Sequence, residues 1–484
     1  MTRSARAVRF LLGLILAIAV PLAPQARAGS GDPPVTWTGT VDLPDSMKLE
    51  FSVELSKDSG TITIPLQHAK DIPLDGVSVT AKELRFGVSS SGAAWELAVA
   101  EDGKSATGVL KQGGAEFKTT MRRLAAGEAV VKDLVRPQEP KPPFPYATTE
   151  VAFENPAAKA TLAGTLSAPN GDGPFPCVVM VTGSGPQDRD EALLGHRPFL
   201  VIAEHLTRHG IAVLRYDDRG TAKSTGTFVT ATSDDFAEDA LAAVEFLKTR
   251  KEIDAKRIGI LGHSEGGLIA PICAAKSKEV AFIVLLAGTG LSGAELMPIQ
   301  MRLVSAALGA PAAEAELQGK DGAEIFALML AGKSDAEVKE RIRLAVARAY
   351  EADPDTKDLA PDAKQKKIDQ AVEMQSAELL GVWFRRFLAM DPRENLRKVT
   401  CPVLAVNGAL DLQVPAKENL PRIEKALKDG GNKDVTIVEF PGLNHLFQTC
   451  KTGAPTEYGA SEETISPVVL ETVTSWIRKR TRLD

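Results

Sequence analysis

Between residues 175 and 290 the chain repeats one pattern: a near-continuous apolar run, a turn, an amphipathic stretch, then another apolar run. The apolar runs are "FPCVVMVTGSG", "IAVLRYDD", "RIGILGHS" and "AFIVLLAGTG", and helical segments lie near 196–209, 234–251 and from 265. Strands that are apolar at nearly every position have both faces buried, which demands a mainly parallel sheet covered by helices on both sides. After a long gap the pattern resumes with "CPVLAVNG", a helix near 416–429, "DVTIVEF" and a helix near 467–480. The gap, 291–398, has helical periodicity in "DAEVKERIRLAVARAYEA" and "KQKKIDQAVEMQSAELLGVWFRRFLAM". It reads as a helical block inserted between two strands of the sheet. Loops at the carboxyl ends of such strands surround the ligand site, so the insertion is expected to form a lid. Ahead of the first apolar run, "TEVAFENPAAKATLAGTLSAP" reads as a hairpin.

The preceding region is of another kind. From about Val35 to Arg123, period-two runs such as "MKLEFSVEL" and "AWELAVA" alternate with turn clusters such as "KDSG" and "EDGKS". This spacing predicts a small antiparallel barrel or sandwich with an accessory role. It gathers no chemical cluster; His68 stands alone and reads as a packing or surface residue. "VRPQEPKPPFPY" then places five prolines in twelve residues, a stiff extended linker. At the start, Arg3, Arg6 and Arg9 precede an apolar run of about fourteen residues and Ala26-Arg27-Ala28, the layout of a secretory signal peptide. The run is shorter than the ~20 residues a spanning helix needs and is broken by Pro21 and Pro24. The expected organisation is therefore a signal peptide over 1–28 and an antiparallel β-domain over 29–131. A Pro-rich linker follows over 132–147, then an α/β domain over 148–290 and 399–484, interrupted by the lid over 291–398. Export to the periplasm or beyond follows from the signal peptide. Its removal takes away four arginines and no acid, so the net charge moves from −6 to −10. So acidic a chain is poorly suited to nucleic acid or to anionic lipid surfaces.

Gly262-His263-Ser264-Glu265-Gly266 joins an apolar strand to a helix. Gly-x-Ser-x-Gly is a weak signal alone and a strong one at that junction, where a nucleophile elbow must lie. The glycines let strand and helix approach, and the bend exposes the hydroxyl of Ser264. A serine hydroxyl needs a base, and in this arrangement the order along the chain is serine, acid, histidine. Of the six histidines (His68, His196, His205, His209, His263 and His445), only His445 follows the serine. Asp411, just past the apolar run of "CPVLAVNGALDLQVP", is placed to accept the imidazole Nδ1–H and stabilise the imidazolium. One oxyanion donor is expected to be the backbone N–H of Glu265. The other should come from "VMVTGSGPQDRD": Pro186 has no N–H, so Ser184 is the first choice and Gly185 the second. A phosphate-loop reading of that segment fails, because no Gly-Lys-Ser/Thr is present and acidic residues follow.

The blocks "VTGSGPQDRDE", "YDDRGTAKSTG", "GHSEGG", "NGALDLQVP" and "GLNHLFQ" resemble those of bacterial α/β-hydrolase carboxylesterases, the serine aminopeptidase-like hydrolases. The resemblance runs from about residue 148 to the end and says little of 29–131. It implies an α/β-hydrolase fold, a triad of Ser264, Asp411 and His445, no metal or organic cofactor, and action on small-molecule esters more often than on peptides. Where the family's oxyanion loop often carries His-Gly, this chain has Thr182-Gly183. The resemblance also puts Asp217, Asp218 and Arg219 at a central strand end, read here as a buried ion pair holding the loop. Trp383 and Phe387 are read either as acyl-pocket walls or as a helix packing face. An aminopeptidase is the neighbouring alternative, and a binding protein on an inactive hydrolase fold is the non-enzymatic one. Cys177, Cys273, Cys401 and Cys450 include no Cys-x-x-Cys spacing, so neither a structural zinc nor a redox motif is expected from them.

Overall fold

The computed structural model describes residues 34–483 apart from 43–47, 68, 113–114, 126–127, 129–134 and 354–355. The expected signal peptide, His68 and the first residues of the linker lie outside the described residues. The chain divides into two compact units, whose main parts meet at Arg136 and Pro137.

The first unit consists of β1 (Val35–Asp42), β2 (Lys48–Leu55), β3 (Gly60–Ile64), β4 (Ala69–Pro73), β5 (Asp75–Val79), β6 (Glu83–Val88), β7 (Ala93–Val99), β8 (Ser105–Gln112) and β9 (Ala115–Arg123). They form one antiparallel sheet in the order β4-β3-β2-β1-β9-β8-β7-β6-β5. β4 and β5 are joined by Leu74 alone yet stand at opposite ends of that order. The sheet must therefore curl until its edges approach, and the Leu74 N–H donates to the Gly60 carbonyl at 2.9 Å. Alternation supplies the filling: in β7 every second residue from Ala93 to Leu97 is buried. Trp95 stacks on Phe86 with ring centroids 5.2 Å apart, inside a wholly apolar cluster. The barrel-or-sandwich expectation thus resolves as a nearly closed single sheet.

The second unit opens with the expected hairpin, β10 (Ala147–Asn155) and β11 (Ala160–Ala168). Then follow β12 (Phe175–Val181), α1 (Pro198–Arg208), β13 (Ala212–Tyr216), α2 (Ser233–Lys248), β14 (Ile253–His263), α3 (Glu265–Lys276) and β15 (Ile283–Leu286). The helical insertion comprises α4 (Gly293–Ala307), α5 (Ala312–Leu330), α6 (Asp335–Ala352), α7 (Pro361–Leu379), α8 (Val382–Ala389) and α9 (Pro392–Leu396). The chain ends with β16 (Val403–Gly408), α10 (Ala416–Asp429), β17 (Val435–Phe440) and α11 (Pro467–Thr481). The sheet order is β10-β11-β13-β12-β14-β15-β16-β17, with every pair from β13 to β17 parallel. This is the α/β-hydrolase arrangement.

The order locates the site. From β12 the chain steps back to β13 through α1, whereas all later crossovers step the other way. Right-handed crossovers then put α1 and α3 on opposite faces, so the loops leaving neighbours β12 and β14 part company and leave a crevice between them. One face carries α1 and α11, whose Phe199, Ile202, Leu206, Val473 and Ile477 share a core with β12, β14 and β16. In the insertion, Ser292 with Glu295 and Ser334 with Glu337 close capping boxes at the starts of α4 and α6. Arg341 and Arg348 of α6 both reach the buried Asp321 of α5. No described helix is long and apolar enough to cross a membrane. All four cysteines are unpaired.

Candidate active site

Ser264 sits between β14 and α3 with φ 54° and ψ −112°, a conformation that costs an L-residue energy and persists only when its surroundings impose it. Its neighbours show why. A Cβ on Gly262 would lie 2.0 Å from the Gly266 carbonyl oxygen, and one on Gly266 would lie 2.1 Å from that of Val181. Only glycine fits at either position, because β14, α3 and the end of β12 converge there. Ser264 N–H donates to the Leu286 carbonyl at 2.8 Å, which ties the bend to β15.

Asp411 and His445 follow the ends of β16 and β17. Nδ1 of His445 is 2.8 Å from Oδ2 of Asp411, and both residues are buried. Oδ1 of Asp411 accepts the N–H groups of Gln413 and Val414 at 2.8 and 2.9 Å, so the carboxylate cannot swing. Asn407 fastens the same turn by donating from Nδ2 to the Val414 carbonyl. The histidine loop is held by Asn444, whose Oδ1 accepts the N–H groups of Leu446 and Gln448. Chain order selected His445 and a position just past an apolar strand selected Asp411; the structure brings them into one hydrogen bond. No hydrogen bond joins Nε2 of His445 to another described residue.

The loop after β12 is pinned at two points. Thr182 Oγ1 donates to Asp218 at 2.9 Å, and the Gln187 N–H donates to the same carboxyl. The Gly183 N–H donates to Oε1 of Glu191 at 2.7 Å, so it is committed elsewhere. The N–H groups of Ser184 and Glu265 donate to no described residue, and Ser184 is exposed. The loop also closes on Ser264, since a Cβ on Gly183 would lie 3.4 Å from its Cβ.

Sequence reasoning missed Glu191 and its partner. Oε1 of Glu191 also lies 2.9 Å from Nδ1 of His263, whose Nε2 is 3.1 Å from the His445 carbonyl oxygen. Both partners are acceptors, so His263 carries both protons. Burial works against that charge, but the Glu191 carboxylate and the His445 carbonyl outweigh it and raise the pKa of His263 above its usual value. The one signal of this pair in the sequence was the acidic run "QDRDE" beyond the oxyanion loop.

One further reading changes. Asp217, Asp218 and Arg219 do not pair among themselves. Asp217 pairs with Arg189 at 2.8 Å and Arg219 with Asp239 at 2.6 Å, whereas Asp218 forms no ion pair among the described residues and burial pushes its carboxyl well up. Trp383 stacks on the buried Phe387, with centroids 5.4 Å apart, and donates from Nε1 to Glu265 at 2.7 Å. The Ser233 hydroxyl donates to the same oxygen at 2.6 Å, and burial raises the pKa of Glu265. Helix α8 of the insertion is thus bound to the residue after Ser264. Among these side chains no metal-ligand set forms, and the chemistry the arrangement supports is nucleophilic.

Residues 198–449 match the family model described as serine aminopeptidase, S33. The chain is 30% identical over 321 residues to the esterase EstD of Thermotoga maritima, a match spanning 66% of each protein and so just under two thirds of that relative's length. Among solved structures it is similar to the α/β hydrolase GrgF of Penicillium sp. sh18, with 19% identity, 70% of this chain, 100% of the other and a TM-score of 0.42. It is also similar to the esterase PF2001 of Pyrococcus furiosus, with 18% identity, 70% and 91% coverage and a TM-score of 0.39. Both TM-scores are below 0.5, and the fold assignment rests on the sheet order instead.

Proposed function

The chain belongs to the serine aminopeptidase S33 family of α/β hydrolases, and from that premise we propose that it cleaves carboxylic esters through an acyl-serine intermediate. The observation that carries this reading is the strained Ser264, set at the crevice between β12 and β14 on the strand ends that also bear the Asp411–His445 pair. Ser264 Oγ attacks the ester carbonyl carbon while its proton passes to Nε2 of His445. Asp411 keeps Nδ1 protonated and stabilises the imidazolium. The carbonyl oxygen becomes an oxyanion held by the N–H groups of Glu265 and Ser184, each worth ~3 kcal/mol of barrier at a site of this kind. The tetrahedral intermediate collapses, His445 returns its proton to the departing alkoxide, and the alcohol leaves. Water then attacks the acyl-serine by the same route and releases the acid.

Support for an ester substrate comes from the likeness to an esterase of Thermotoga maritima. The test is hydrolysis of short and long p-nitrophenyl esters, with an aminoacyl anilide in parallel, by wild type and Ser264→Ala. Ester cleavage that vanishes in the variant is the expected result. Dominant anilide cleavage would replace the ester reading with an aminopeptidase, and equal rates in both proteins would remove the enzymatic reading. We further propose that residues 1–28 direct export and are removed. N-terminal sequencing of the protein secreted by a bacterial host should then begin at Gly29, and an intact Met1 terminus would overturn this.

A further inference from the structure

Far from the nucleophile, helices α1 and α11 bring together side chains that the proposed reaction does not use. His205 and His209 stand one turn apart at the end of α1, with their rings stacked at 4.4 Å between centroids. One ring nitrogen of each, together with a carboxylate oxygen of Glu471 on α11, all lie within 4.8 Å of one another. His209 precedes β13, at the amino ends of the strands, whereas Ser264, Asp411 and His445 follow carboxyl ends. The cluster therefore belongs to the opposite end of the sheet.

Each of the three residues has a second partner that orients it. Nδ1 of His209 lies 2.7 Å from the His205 carbonyl oxygen, which only accepts, so that nitrogen carries the proton and Nε2 keeps its lone pair. Nδ1 of His205 lies 2.8 Å from Oγ1 of Thr474, also on α11. Oε1 of Glu471 accepts the Ser475 hydroxyl at 3.0 Å, leaving its other oxygen available. Metal-binding histidines are held in this way by a carbonyl or hydroxyl on the nitrogen that does not coordinate.

We propose that His205, His209 and Glu471 bind one divalent transition-metal ion of the zinc class, with water completing the shell, and that the ion clamps α1 to α11. Two imidazoles and a carboxylate suit such a cation, whereas calcium and magnesium prefer oxygen alone. In a tetrahedral shell with bonds near 2.0–2.1 Å the donors stand about 3.3 Å apart, so side chains now within 4.8 Å close by up to about 1.5 Å on binding. His205 and His209 are half-buried and Glu471 is exposed, which gives them room to do so. The expectation of no metal was drawn from the cysteine spacing and from the family resemblance, and neither bears on these three residues.

The test is a competition titration of the chelator-treated full chain with Zn2+ against a chromogenic chelator, followed by a thermal melt with and without one equivalent. Wild type should take up one equivalent and melt higher when loaded. His209→Asn should lose tenfold or more in affinity together with the thermal shift, and Glu471→Gln should be intermediate. Unloaded variants should keep the melting temperature and ester turnover of unloaded wild type, which separates a metal site from a structural contact. Wild type that binds no zinc at micromolar concentration, or variants that bind it as wild type does, would overturn the proposal.

Discussion

Two buried histidine–carboxylate pairs lie side by side in this protein, their rings 4.9 Å apart, and they differ in one respect. His445 has Asp411 on Nδ1 and no described partner on Nε2, so it is free to exchange a proton. His263 has Glu191 on one nitrogen and the His445 carbonyl on the other, so it has no proton to exchange without breaking a contact. The same two residue types thus give an imidazole with one uncommitted nitrogen in one place and an imidazole bonded at both nitrogens in the other. What decides is the group that the second nitrogen meets. The fixed pair also has a mechanical consequence: through the Gly183 N–H, His263 and the His445 carbonyl, Glu191 links the ends of β12, β14 and β17.

Breaking the exchanging pair should have the larger effect. His445→Ala and Asp411→Asn are each expected to lower kcat by about 10⁴-fold or more with folding retained, as read from ester turnover and circular dichroism. Breaking the fixed pair should act first on stability. His263→Gln leaves the buried Glu191 without its cation, at a cost of about 3–5 kcal/mol in urea denaturation. Glu191→Gln in that background should return much of the loss and should raise the remaining kcat. Failure of the second substitution to rescue the first would break the comparison.

A pH series sharpens it. The pKa of His263 is raised above its ordinary 6.5, so its stabilisation is complete below about pH 6.5 and fades as pH rises through the folded value. The gap in urea midpoint between wild type and His263→Gln should therefore narrow towards alkaline pH. The raised carboxyls of Asp218, Asp239 and Glu265 are common to both proteins and largely cancel. The smallest effect is expected at Asp218. Burial lifts its pKa far above the ordinary 3.8, so the folded protein holds the proton where the unfolded chain releases it, and stability falls as pH rises between the two values. Asp218→Asn mimics the protonated group towards Thr182 and Gln187. At pH 7 it should stay within about 1 kcal/mol of wild type or be slightly more stable, and it should lack that slope.

The parallel strands, their helices and the long helical insertion were readable in the chain because double burial and helical periodicity leave local marks in a sequence. Ser264 was readable because the tight bend demands glycines at fixed spacing. His445 was singled out because no other histidine follows the serine, and Asp411 because it comes directly after the end of an apolar strand. Glu191, His263 as a cation, and the bond from Trp383 to Glu265 were not. The partners are separated in sequence by |i−j| of 72 and 118, and no local rule of spacing reaches so far. The carboxylates of "DDR" show the limit most clearly. The family resemblance put them at a strand end, but their partners came from other elements: Arg189 meets Asp217, and Asp239 takes Arg219. The sequence by itself determined which segments become strands and helices and where a serine must be bent into the crevice. Only the tertiary structure decided which buried group holds a proton, because a pKa is set by neighbours in space.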